Sequence, residues 1–394
     1  SQNTSVGHGA LDANTTASGN TAVGNIALSA NTTGANNTAV GYTALDANTT
    51  GTWHTAVGYG ALGAITTGNN GTAFGYEALK VATVGDNTAI GTQALVANTT
   101  GTGNTAVGQS ALDANTTANE NTGIGVAALG ANTTGASNVA VGALALDANT
   151  TASNNVAVGK AALGANTTGA TNTALGGDTL DANTTGSELT AVGYNALSAN
   201  TTASYNVAVG TGALAANTTG ASNIAIGAAA LDANTTASHN VAVGGAALGA
   251  NTTGTQNVAV GNYVNDADAT TNYTVGVGYS ALSANTVDHV TAVGYGALGA
   301  NTSGAGGTAV GSQALTTNTT GANNTAVGLS ALYANTTGTE NTSVGMNNMV
   351  TNSTGSYNTS VGAYALDENT TASNNTAFGH SALALNTTGD TNVS

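Results

Sequence analysis

The sequence predicts an all-β fold, a parallel β-solenoid (β-roll) of about 23 coils of 17 residues, and three observations carry that prediction. The segment Asn-Val-Ala-Val-Gly at 206–210 recurs as Asn-Ile-Ala-Ile-Gly at 223–227 and unchanged at 240–244 and 257–261, a step of 17. A period of 17 is too short for a helix-pair repeat, and the Gly, Asn and Thr content with alternating β-branched residues disfavours helix. Charged residues make up only 5% of the 394, against about 25% in ordinary soluble domains, so the surface must be solvated by Asn, Thr and Ser.

Aligned on the final glycine of the motif, the units run from Gly7, Gly24 and Gly41 to Gly379. There are 23 of these marker glycines, joined by twenty steps of 17 and two of 16, and no linker interrupts them. Residues 1–394 therefore read as one continuous solenoid domain. The two short steps, Gly75 to Gly91 and Gly278 to Gly294, read as trimmed turns.

Each unit reads as two short strands and two turns. In the first strand Val207 and Val209 face one way and Ala208 the other, so both faces are apolar; one fills the coil and the other meets another subunit. The fourth residue after the marker is Leu except at Asn265 and Met349, which predicts a core ladder that includes Leu11, Leu28, Leu45, Leu163 and Leu214. The marker glycines read as corners that need positive φ or close backbone approach. Asn14, Asn31, Asn48, Asn98 and Asn115 predict an amide ladder from coil to coil, and with it a structural reading of the many Asn-Thr-Thr sequons.

The coil length follows from charge. Asp12 and Asp46, then Asp113, Asp147 and Asp181, occupy alternate units. Coils of 34 residues would stack these carboxylates directly, which is unfavourable for like charges; coils of 17 hold them two rungs apart. Twenty-three rungs at roughly 4.8 Å make a rod of about 110 Å.

The composition also excludes function classes. Two basic residues, Lys80 and Lys160, against 18 acidic ones give a net charge of −16 and no electropositive track for nucleic acid. No segment approaches the roughly 18 apolar residues of a membrane span, so no membrane insertion is expected. Without cysteine there is no disulfide framework or thiolate site. His8, His54, His239, His289 and His380 fall in different coils with no metal spacing and read as solvated or locally bonded. With no nucleophile motif either, no catalytic or cofactor-binding residue is expected and the chain reads as a non-enzyme.

Three features stand outside the regular pattern. The unit from Asn262 to Gly278 brings Asp266 and Asp268 together, weak candidates for a cation in what reads better as a decayed coil. Tyr42, Tyr59 and Tyr76, and again Tyr279 and Tyr295, follow marker glycines on consecutive coils and predict aromatic ladders suited to corner packing or to sugar rings. Trp53 reads as a lone exposed-loop residue.

The Asn-Val-Ala-Val-Gly, Asn-Ile-Ala-Ile-Gly and Asn-Thr-Ala-Val-Gly segments, each followed by Ala-Leu-x-Ala, resemble the head repeats of trimeric autotransporter adhesins and similar tail-fibre-like repeat proteins. The unit here is longer, with the excess in the Asn-Thr-Thr-Gly turn. The resemblance covers all 23 units and implies a left-handed parallel β-roll, three chains around one axis, surface display and adhesion.

The expected function is thus an extracellular, cell-surface or virion fibre acting by multivalent contacts, with self-association as a homotrimer and with cell-surface glycans or matrix as partners. The alternative is a head-to-tail filament in which Asn3, Val6 and Gly7 of one copy meet Asn392 and Val393 of the next. A lesser alternative is ice binding, which the adjacency of Thr15 and Thr16 disfavours because neighbours cannot both face out of one strand.

Overall fold

The structure, a computed structural model, describes residues 2–394 and falls into two compact units, Ser1–Thr202 and Ala203–Ser394. Each is a parallel β-solenoid, with no helix among the described residues. The first holds twelve three-residue strands, from β1 (Thr4–Val6) to β12 (Thr190–Val192), and the second eleven, from β13 (Val207–Val209) to β23 (Thr376–Phe378). Within each unit every strand pairs in parallel with the next in sequence. One coil is one 17-residue repeat, as in Thr4↔Thr21, Thr21↔Thr38 and Val207↔Ile224. The 16-residue steps keep the register, Thr72↔Thr88 and Val275↔Thr291, because the missing residue is taken from the corner turn.

The strand has a defined inside. Ala22, Ala39 and Ala208 are fully buried, whereas Val207 and Val209 are half-buried on the outer face. The interior admits only a small side chain here, alanine on most rungs and a buried serine at Ser343 and Ser360, because a leucine packs across it. A Cβ built at Gly123, which takes the Ala position, would lie 3.0 Å from Ala128 O of its own rung and 3.4 Å from Leu112 Cδ1. Leu28, Leu45, Leu163 and Leu214 are completely buried, and Leu11, on the first rung, is half-buried.

The expected second strand is not one. Ala27 and Leu28 are neighbours and both fully buried, which a strand with alternating faces cannot achieve. The backbone instead turns between them. Leu28 has φ +53 and Ile26, two residues earlier, φ +59, and this left-handed pair recurs on other rungs, as at Gln93 and Leu95. The segment still bonds to both neighbouring rungs: Ile26 N donates to His8 O of the preceding rung (2.8 Å) and Leu28 N to Ala44 O of the next (3.0 Å). Left-handed φ costs a non-glycine residue roughly 1–2 kcal/mol, so the buried leucine and these bonds must hold it in place.

The marker glycines have φ between +127 and +146, outside the reach of L-residues. Their second constraint is contact. A Cβ at Gly125 would sit 2.5 Å from the carbonyl carbon and oxygen of Gly142 on the next rung. Gly125→Ala is therefore expected to unfold or distort its rung. Leu163→Ala should cost about 2–5 kcal/mol through the cavity it leaves, while Lys160→Gln on the surface should cost less than about 0.5 kcal/mol. Urea unfolding followed by circular dichroism ranks the three; a Leu163→Ala as stable as Lys160→Gln would contradict the core described here.

Candidate functional site

Polar side chains inside each coil are arranged as ladders. Asn31 Nδ2 donates to Asn14 Oδ1 of the preceding rung (3.1 Å) and to Gly34 O of its own turn (2.9 Å); Asn48 repeats this on Asn31 (2.9 Å), as does Asn115 on Asn98 (2.9 Å). Between Asn48 and Asn98 the position passes to Ile65 and Ala82, both buried, so the ladder is interrupted by apolar residues there. Asn31, Asn48 and Asn115 are fully buried with their amides engaged, which leaves those sequons no room for a glycan.

A second amide ladder, built from the first residue of the repeat motif, has no counterpart in the sequence reading. Asn37 N donates to Asn20 Oδ1 (2.9 Å), and Asn37 Nδ2 crosses the coil to Gly51 O (2.9 Å). The same pattern joins Asn121 to Asn104 and Asn155 to Asn138. The signal lay in how often Asn precedes the strand. A threonine ladder lies outside both: Thr15, Thr32 and Thr49 hydroxyls each donate to the carbonyl of the next rung's threonine at 3.0 Å. One threonine of each pair is thereby tied to the backbone, and the other, as at Thr16, Thr33 and Thr50, is exposed.

His54 occupies the second ladder. Its backbone N donates to Asn37 Oδ1 (2.9 Å), its Nδ1 accepts from Gly71 N (3.0 Å) and its Nε2 faces Gly68 O at 2.6 Å. Nδ1 stands where an asparagine oxygen would be and Nε2–H where its amide would be, which fixes the neutral Nε2–H tautomer. Burial pushes its pKa below the ordinary 6.5. Trp53 beside it is exposed.

The irregular rung replaces leucine by Asn265, which is buried, donates to Thr274 Oγ1 (3.1 Å) and Thr271 Oγ1 (3.4 Å), and leaves its own Oδ1 unpaired. Asp268 stands in the first asparagine ladder and accepts from Thr270 N (3.1 Å) and Thr271 N (2.6 Å), so its carboxylate caps a turn. Burial raises the pKa of Asp266. Among the described residues no three His, Asp or Glu converge to hold a metal ion.

The aspartates at the fifth position after the marker follow the alternation read from the sequence. Asp46, Asp113, Asp147, Asp181 and Asp232 are partly buried at the fifth position after the marker, and burial raises each above the ordinary 3.8. Glu77 is held below its usual range by the exposed Lys80 ammonium, 2.7 Å away.

The tyrosines do stack. Tyr42 and Tyr59 rings are 5.4 Å apart at 9°, Tyr59 and Tyr76 5.3 Å at 15°, and in the second unit Tyr279 and Tyr295 are 5.9 Å apart at 13°. Tyr263 meets Tyr279 edge-on, and Tyr273 stacks on His289. Beside each ladder runs a shallow groove, the first along Thr43, Asp46, Tyr59, Gly60, Gly63 and Lys80, the second along Ser280, Tyr295, Gly296, Gly299 and Gln313. Of the assembly candidates, Val6 and Val393 are strongly exposed and Asn3 half-buried.

These features define a β-solenoid repeat protein whose accessible chemistry is hydroxyl, amide, aliphatic and aromatic. No family model matches the chain, and no curated protein matches its sequence.

The tautomer of His54 generates a pH prediction. A proton on Nδ1 would face the Gly71 N–H, so the folded form resists protonation. Because the folded pKa is depressed, the stability His54 contributes is complete above the unfolded value of 6.5 and is lost as pH falls through the folded pKa. The raised aspartates act with the opposite sign, stabilising the fold as pH falls toward 3.8. Thermal midpoints of the wild type should therefore drop between pH 7 and 5 relative to His54→Asn, which restores the ladder amide. Superimposable profiles for the two proteins would refute the assignment.

Proposed function

We propose that the protein is a non-enzymatic structural and adhesive fibre segment, displayed outside a cell or on a virion, that acts through weak contacts repeated rung by rung. The observation that carries this reading is the outer row of the sheet. The residue before every marker glycine is aliphatic or aromatic. In the first unit Phe74, Ile90, Ile124 and Leu175 in this row are exposed, and in the second Ile226, Val260 and Val310. Scattered exposed apolar residues need no explanation, whereas a file of them at rung spacing is a contact surface.

Such a row is self-complementary, since the same row on another copy presents matching side chains at the same interval. Self-association, as a trimer in the form the sequence resemblance implies, covers it. The polar corners, one per rung on each copy, then remain outside and sum modest contacts into avidity. A fold held by backbone pairing and amide ladders, with no cysteine, is indifferent to an oxidising exterior. Among the described residues no helix is long and apolar enough to cross a membrane.

The mass in solution tests self-association. The wild type should run as more than one 37.3 kDa chain, and Phe74→Thr/Ile90→Thr/Ile124→Thr, which keeps β-branched residues on the strand, should shift it toward the single chain with an unchanged circular dichroism spectrum. A wild type of single-chain mass would overturn this part of the reading.

A second reading, end-to-end filament growth, draws support from the last rung. Thr376 N donates to Asn392 O (2.7 Å) and Ser394 N to Thr376 O (2.9 Å), so three residues in register suffice to extend the sheet. If the edge at Asn3 to Gly7 receives another copy at Asn392 and Val393, deleting residues 1–7 should abolish long rods in electron micrographs while the remaining coils stay folded. Equally long rods from the deleted chain would exclude this docking.

A further inference from the structure

The heptapeptide Gly-Tyr-Gly-Ala-Leu-Gly-Ala occurs twice, at 58–64 and 294–300, once in each unit. Each copy follows a rung whose marker glycine is also followed by tyrosine, Tyr42 in one case and Tyr279 in the other. The two grooves lie at these heptapeptides. The same local sequence has thus produced the same surface shape in both units: a stack of tyrosine rings with a trough beside it where two side chains are missing.

The fold does not demand those missing side chains. The second residue after the marker is left-handed whether or not it is glycine, and Gln93 and Gln313 hold that position at φ 58 and 60, close to Gly60 at 61 and Gly296 at 59. A Cβ at Gly296 would meet nothing within 4 Å, and one at Gly60 only Glu77 Cγ at 3.9 Å. The backbone at Gly63 and Gly299 lies outside the left-handed region altogether. What these glycines do is leave the flank of the tyrosines open.

We propose that the two grooves bind an extended, neutral, β-linked oligosaccharide, its pyranose rings lying along the tyrosine stack; this rests on the reading of the protein as a displayed contact surface and names its partner. A pyranose has an apolar face that packs on an aromatic ring and a rim of hydroxyls that needs donors and acceptors. Tyr42, Tyr59 and Tyr76 are half-exposed, and because the rings overlap one another they offer a sugar chain a continuous apolar edge with one phenolic hydroxyl per rung. Around the trough the Asp46 carboxylate accepts, the Lys80 ammonium donates, and the Thr43 hydroxyl does both; in the second groove Ser280 and Gln313 take these parts. The ring spacing of 5.3–5.4 Å in the first unit is about the length of one hexose in an extended β-linked chain, so successive sugars meet successive rungs. An α-linked glycan curves away from a straight ladder, and a net charge of −16 repels an acidic one.

Saturation-transfer NMR and calorimetry on the full chain with cellotetraose, chitotetraose, maltotetraose and a proline decamer test the proposal. At least one of the two β-linked sugars should bind and maltotetraose should not. Tyr59→Ala/Tyr295→Ala should weaken binding at least tenfold. Gly60→Gln/Gly296→Gln, which only reinstates a side chain that neighbouring rungs carry, should do the same with an unchanged circular dichroism spectrum. The proposal is overturned if neither β-linked sugar binds, if maltotetraose binds as well as they do, if only the proline decamer binds, or if the glutamine variant binds like the wild type. Particle mass measured on the same samples separates the two readings: associated chains that bind no sugar overturn the groove alone, and single chains that bind sugar overturn self-association alone.

Discussion

Every residue of this protein must tolerate a copy of its neighbour's equivalent at strand separation, about 4.8 Å along the stack. That constraint selects the side chains. An asparagine amide has both donor and acceptor, so an asparagine above an asparagine is self-satisfying, as Asn31 on Asn14 and Asn48 on Asn31 are. A carboxylate above a carboxylate is not, and Asp113, Asp147 and Asp181 are kept two rungs apart with uncharged residues between. Tyrosine stacks on tyrosine at 5.3–5.4 Å because offset aromatic rings attract at that distance. A chain with only 5% charged residues follows from the same rule applied along its length.

The narrowness of the coil is the second consequence. Its interior holds one leucine, small residues and the amides, so the strand-centre residue stays as small as alanine or serine and the chain must turn sharply on either side. The turn is made by left-handed residues that include leucine itself, a backbone state that nothing but tertiary context favours. At the marker position, by contrast, no side chain is possible: both the φ value and the carbonyl of the next rung forbid it. Glycine is therefore near-obligatory at one corner and merely permitted at Gly60 or Gly296.

These distinctions explain what could be read from the sequence. The period, the coil length, the leucine core and the first amide ladder were legible because each rests on one residue recurring at a fixed interval. The direction of the strand was not, since Val207-Ala208-Val209 is apolar on both faces and only the space left by leucine decides that alanine points inward. The second strand was misread because Ala-Leu looks like a continuing apolar run, although two adjacent buried residues already contradict a strand's alternation. His54 gave no signal of its own; its role appears only when its ring nitrogens are seen to stand in for the oxygen and nitrogen of the asparagines it replaces. The grooves were hidden for another reason, that glycine in this chain is so common that Gly60 and Gly63 look like more of the same.

Regularity and recognition pull against each other in such a fold. A perfectly repeated rung offers the same weak contact everywhere, and its affinity comes only from number and spacing. A departure from the repeat creates a particular place, but it breaks a ladder or removes a side chain and so weakens the stack locally. The chain keeps its departures where the stack can bear them. Ile65 and Ala82 interrupt the first amide ladder with apolar residues that need no partner, and the break leaves a single buried acceptor, Asn48 Oδ1, without a donor at that point. The glycines of the two heptapeptides subtract side chains from the outside and leave the backbone bonds between rungs in place, as in Gly60 N to Tyr42 O and Gly296 N to Tyr279 O. Surface glycine is thus the least costly irregularity open to a stacked coil, and its pairing with exposed tyrosine on consecutive rungs is the local chemistry from which a specific contact can be built without disturbing the ladders beneath.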